Sequence, residues 1–159
     1  MSQQRWRLDG QLALVTGGSA GIGRAIAREL LGFGARVLIA ARDGNGLDAV
    51  RIELEEEFPD GEVRTCVADV ADDEQRRELL DWVEDIGDGL NILVNNAGGN
   101  LTKAAIDYSE DEWRGIFEVN LFSAFELARS TYPLLTKHAA SCIVNVGSVS
   151  AITHVRSGA

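Results

Sequence analysis

Thr16-Gly17-Gly18-Ser19-Ala20-Gly21-Ile22-Gly23 follows the apolar run Leu12 to Val15 and leads into a stretch of helical periodicity. A buried strand that passes through such a turn into a helix brings glycine backbone and unpaired helix N–H groups to one point. Glycines permit the tight turn and a close approach, and the helix N-terminus attracts an anion through its N–H groups and its dipole. The stretch reads as a pyrophosphate cradle at Gly17, Gly21 and Gly23, with Ser19 as an added hydroxyl donor. An ordinary Gly-rich turn is the plainer alternative, and the strand-turn-helix setting weighs against it.

Outward from this loop, strand and helix patterns alternate. Ile22, Ile26 and Leu30 recur at helical spacing, with Gly32 and Gly34 as the stop. Val37 to Ala41 is the second strand, and Leu47, Val50, Leu54 and Phe58 mark a helix closed by Pro59-Asp60-Gly61. Val63 to Val67 is the third strand. Asp72 with Gln75 resembles a capping box before the helix of Leu79, Leu80, Val83 and Ile86. Ile92 to Val94 is the fourth strand. Ser109 with Glu112 is a second capping box, opening one long helix whose apolar stripe is Trp113, Ile116, Phe117, Leu121, Ala124, Phe125 and Ala128. Cys142 to Val146 is the fifth strand. The alternation predicts right-handed βαβ units. The expected fold is α/β, a Rossmann-like doubly wound parallel sheet of five strands in the order 3-2-1-4-5, as one domain over residues 1–159.

The formal net charge of −10 surrounds the chain with a negative field that repels nucleic acid and anionic membrane. No apolar run is long enough to span a bilayer, and Met1 to Gly10 reads as neither signal nor anchor. Cys66 and Cys142 lie in apolar β-branched runs, so both are expected as reduced core thiols, with no metal site and a cytoplasmic location.

The glycine spacing is Gly-x-x-x-Gly-x-Gly. Asp69-Val70 follows the third strand, Asn95-Asn96-Ala97-Gly98 the fourth, Asn120 lies in the next helix, and Ser148 ends the fifth strand. In this order the motifs resemble the short-chain dehydrogenase/reductase family, and Thr153 to Ala159 is similar to its tropinone-reductase-like members. The resemblance implies an oxidoreductase that interconverts a ketone and a secondary alcohol on a small-molecule carbonyl or alcohol substrate, as a homo-oligomer when intact. It implies cofactor contacts from Gly17, Ser19, Gly21, Ile22, Gly23, Asn96, Ala97 and Gly98. Asp69 would accept from the adenine amino group with Val70 beside the ring; alternatively it caps a turn. Asn95 and Asn96 either stitch backbone or touch the cofactor. Asn120 sits on the apolar stripe, as a core amide satisfied by backbone or, as the resemblance implies, as the holder of a water in a proton relay. Ser148 would hydrogen-bond the substrate oxygen, against the simpler reading of a turn serine.

Cofactor choice turns on the end of the second strand, where Ala41 is followed by Arg42. An acidic side chain there binds a ribose 2′-hydroxyl, whereas a guanidinium matches a 2′-phosphate bidentately. NADP(H) is therefore expected. NAD(H) is the alternative if Asp43 turns to the ribose, and Arg42 as a solvated surface charge is the plain one.

The family pattern continues with a tyrosine shortly after the serine and a lysine one helical turn beyond it. Counted from Ser148, the tyrosine falls just past Ala159. Tyr108 and Tyr132 precede the serine without a lysine at helical spacing, and His154 reads as a loop histidine rather than a stand-in; Ser150 is the neighbouring serine that family spacing sets aside in favour of Ser148. The chain is thus expected to be the cofactor-binding part of the family fold, inactive alone, with strand five as an open edge and apolar helix surface uncovered. A non-catalytic NAD(P)-binding module is the second reading.

Overall fold

Strand β1 (Leu12–Thr16) is buried at every position, and its side chains alternate between two cores. Ala13 and Val15 join Val37, Ile39, Ile92 and Val94 on one face of the sheet, while Leu12 and Leu14 join Leu38, Ala40 and Leu93 on the other. This is the period of two that a strand imposes, applied to runs with no polar face to spare. The computed structural model describes residues 6–87 and 89–149. All pairings of β1, β2 (Arg36–Ala41), β3 (Val63–Val67), β4 (Ile92–Asn95) and β5 (Cys142–Asn145) are parallel, in the order β3-β2-β1-β4-β5. The expected order is borne out.

Helices α1 (Gly21–Gly32) and α2 (Gly44–Glu57) cover the first face through Ala27, Leu31, Leu47, Val50 and Leu54. Helix α3 (Asp73–Ile86) covers the second with Leu79 and Val83, joined by Leu127, Leu134 and Leu135 of α5 (Ser123–Leu135). Gly34 ends α1: its φ is 93°, its N–H reaches the Leu31 carbonyl at 2.8 Å and that of Ala35 reaches Leu30 at 3.0 Å. Those two bonds satisfy the last carbonyls of the helix and require the left-handed backbone that glycine tolerates.

Four expectations need correction. The buried line of α1 is Gly23, Ala27 and Leu31, one position on from the expected Ile22 stripe, and Ile22 is 64% exposed. Small residues at Gly23 and Ala27 let this helix sit close to the sheet. The long helix is broken into α4 (Glu110–Phe117), a π-helical segment (Glu118–Phe122) and α5. Its inward face is Ser123, Leu127, Thr131 and Leu134, whereas Trp113, Phe117, Leu121 and Phe125 of the expected stripe face outward. The stripe marks an apolar face, and periodicity alone does not say which apolar face meets the sheet. Cys142 is exposed and Cys66 half-buried, because β5 is an edge strand exposed at all four residues and β3 is the opposite edge. Lastly, the Asp72 side chain accepts from the Glu74 and Gln75 N–H groups at 2.9 Å, but Gln75 turns to the Asp69 N–H and leaves the box half-made. The Ser109–Glu112 box is complete.

Candidate nucleotide-binding site

The loop after β1 is folded against the ends of β2 and β4. The Gly17 N–H donates to the Ala40 carbonyl at 2.7 Å, and φ is 65° at Gly17 and 55° at Gly21. A Cβ on Gly17 would stand 2.8 Å from Ala97 Cα, and one on Gly23 would stand 2.4 Å from the Gly17 carbonyl oxygen. Those two glycines permit the packing. At Gly21, by contrast, a Cβ would meet nothing within 4 Å. Its positive φ opens bare backbone at the start of α1, where the N-cap is Ala20 and the first turn holds no acidic side chain. Bare backbone at a helix start can accept an anion through its N–H groups.

Thr16, which the motif reading passed over, organises the opposite wall. Its hydroxyl donates to the Val94 carbonyl at 3.2 Å and accepts from the Asn96 and Ala97 N–H groups at 3.1 and 3.0 Å. Asn96 Nδ2 then donates to the carbonyls of Thr16 and Gly17 at 2.9 and 3.1 Å. Asn95 Nδ2 donates to Asn145 Oδ1 at 2.9 Å and to the Ala124 carbonyl at 3.3 Å, tying β4 to β5 and α5. Both asparagines stitch backbone. The only signal for Thr16 was a polar residue closing an otherwise apolar strand.

A groove of about 400 Å³ opens at this edge, the C-terminal end of the strands. Gly17, Ser19, Arg42, Asp69, Val70, Ala97 and Gly98 line it, together with Ala41 and Asp43, weighed above for the cofactor's ribose, and with Ala40, Ala68 and Val119, which sequence reading did not assign to it. Gly21, Ile22, Gly23, Asn96, Asn120 and Ser148 are outside its lining. Asp43 lines this groove and its side chain also caps α2, Oδ1 accepting from the Gly46 N–H at 3.1 Å. Arg42 is solvated, its side chain 72% exposed, with Nη1 3.7 Å from Asp69 Oδ2. Asp69 also caps its own turn, Oδ1 accepting from the Ala71 N–H at 2.9 Å.

Asn120 is exposed rather than buried. Its Nδ2 donates to the carbonyls of Gly99 and Ile116, each at 2.8 Å, and its Oδ1 accepts from the Gly99 N–H at 3.1 Å. The Ile116 carbonyl lies four residues back, and Asn120 itself falls within the π-helical segment. Ser148 follows β5 on the same edge and is exposed. Tyr108 donates to the Leu101 carbonyl and Tyr132 is 65% exposed on α5. Ser150 and His154 lie outside the described residues. Among the described residues, no group of His, Cys, Asp or Glu could hold a metal, and no helix is long and apolar enough to cross a membrane.

The sequence model of the short chain dehydrogenase family matches residues 11–159. The chain belongs to that family. A tropinone reductase homolog of Arabidopsis thaliana is 42% identical over 154 residues, covering 96% of this chain and 56% of the relative. Among solved structures, the RhlG/NADP active-site complex of Pseudomonas aeruginosa superposes with TM-score 0.86 at 34% identity, covering 94% of this chain and 59% of that one. L-Sorbose reductase of Gluconobacter frateurii, complexed with NADPH and L-sorbose, superposes with TM-score 0.88 at 29% identity, covering 92% and 56%. This short-chain dehydrogenase thus spans somewhat over half the length of these relatives.

Proposed function

We propose that this chain binds NADP(H) along the groove and is the cofactor-holding part of an oxidoreductase that interconverts a ketone and a secondary alcohol. The observation that carries the reading is one groove lined together by Gly17 and Ser19 of the loop after β1, the Arg42 guanidinium and the Asp69–Val70 turn. Gly17, Ser19 and Gly21 would hold the pyrophosphate, Asp69 and Val70 the adenine, and Arg42 a 2′-phosphate. The NADP and NADPH named for the two solved relatives, with Arg42 at the end of β2, favour NADP(H) over NAD(H). When bound, the nicotinamide supplies hydride chemistry. Ser148 would donate to the substrate oxygen at the sheet edge, and Asn120 would keep the post-β4 loop in place while holding a relay water.

Proton transfer in the family falls to a tyrosine and a lysine placed after the serine, and Tyr108, already bonded to Leu101, does not supply it. For residues 1–159 taken alone, binding without turnover is the outcome we propose. Titration with NADPH and, separately, NADH, read by nicotinamide fluorescence and calorimetry, tests this. Tighter NADPH binding is the expected result; absence of binding by either would overturn the reading, and robust ketone reduction by this chain would overturn its inactive part.

A further inference from the structure

The turn that walls the adenine end of the groove is held by the first turn of α3. Gln75 Oε1 accepts from the Asp69 N–H at 2.9 Å, and the Asp69 carbonyl accepts from the Asp72 N–H at 3.0 Å. Directly behind the groove, the carbonyl of Val70, itself 4% exposed, accepts from Arg76 Nη1. The Arg76 side chain is only 7% exposed, and its Nη2 pairs with Asp73. A guanidinium withdrawn from water is costly unless its donors are used. One of them here is used on the backbone of a residue that lines the groove, while neither Gln75 nor Arg76 lines the groove itself.

We propose that Gln75 and Arg76 are positioning residues for the adenosine end of the dinucleotide, fixing the Asp69–Val70 backbone without touching the ligand. The inference rests on the cofactor reading above and assigns part of its affinity to residues outside the groove. With the amide of Asp69 and the carbonyl of Val70 both tied to α3, the Asp69 carboxylate and the Val70 side chain are presented in one arrangement. Removing either tie leaves a partly or fully buried backbone group unpaired, and the turn must then be reordered whenever ligand binds.

The test is a titration of wild type, Arg76→Met, Arg76→Lys and Gln75→Met with NADPH and with 2′,5′-ADP. Arg76→Met and Gln75→Met should weaken both ligands by the same factor, about tenfold. Arg76→Lys should regain most of the loss, because its ammonium can still donate to the Val70 carbonyl. A loss seen with NADPH but not with 2′,5′-ADP, or wild-type affinity in both methionine variants, overturns the proposal while leaving the cofactor reading intact. Should Arg76→Met fail to fold, Gln75→Met, at a half-buried position, decides the matter. Wild type that binds neither ligand is a different result and removes the cofactor reading together with this one.

Discussion

Arg42 Nη1 stands 3.7 Å from Asp69 Oδ2, so the end of β2 and the turn after β3 face each other as opposite charges across the groove mouth. With the guanidinium 72% exposed, such a pair contributes less than about 1 kcal/mol and is screened by salt. It can therefore be exchanged for a stronger anion at little cost.

Arg42→Ala should lower affinity for NADPH by about tenfold, the scale of a solvated charge-assisted phosphate contact, and leave NADH unchanged. Parallel titrations at low and high salt check both parts: the NADPH preference of the wild type should shrink as salt rises, and that of the variant should not. Equal losses for the two cofactors would place Arg42 away from the 2′-phosphate.

The loop glycines should separate into two kinds. Gly23→Ala puts a Cβ 2.4 Å from both the Gly17 oxygen and Asn96 Nδ2, and backbone cannot yield cheaply there. A stability loss on the order of 1–3 kcal/mol is expected, read as a lower thermal midpoint. Gly21→Ala meets open space and bears only the strain of φ 55°, about 1–2 kcal/mol, but its methyl occupies the approach a pyrophosphate needs. That variant should fold and fail to bind NADPH.

The legible and the hidden parts of this fold differ in kind. Strands β1 and β2 are apolar at nearly every position, so no register or face had to be chosen, and the glycine loop carries its meaning in backbone freedom that only glycine has. The helix after Ser109 offered two faces, Trp113-Phe117-Leu121 and Leu127-Thr131-Leu134, and the inward one contains Ser123 and Thr131, whose hydroxyls bond back to the Val119 and Leu127 carbonyls at 2.8 and 2.7 Å. Polar residues that satisfy themselves inside a helix look like a solvent face in sequence. Thr16 and Gln75 were hidden for a related reason: their bonds reach backbone 78 and 6 residues away, which no local spacing displays.

Acid should act through the Arg36–Glu62 pair, where Nε and Oε2 are 2.6 Å apart, with Arg64 Nε 2.9 Å from Oε1. The hydrogen bond from Arg36 is the main reason that the Glu62 carboxyl is held below its ordinary value of 4.5. A carboxyl depressed in the folded state stabilises fully above its unfolded value and loses that contribution as pH falls through the folded one. Glu62→Gln should therefore be slightly less stable than wild type at neutral pH, by under about 1 kcal/mol for so solvated a pair. Urea unfolding should show the difference closing as pH falls below 4.5.

The two thiols give a direct view of the β5 edge in solution. Cys142 is exposed on that strand, whereas Cys66 on β3 is half-buried, and burial, with a smaller contribution from Glu78, pushes its thiol up. Only the thiolate attacks, so access and ionisation both slow Cys66. At mildly alkaline pH a disulfide reagent should consume one thiol quickly and the other slowly, and Cys142→Ser should remove the fast phase alone. Two slow phases would mean that β5 is covered in solution, whether by a second copy or by another part of the same chain. The rate should then rise on dilution only in the first case, because an intermolecular cover dissociates as concentration falls and an intramolecular one does not.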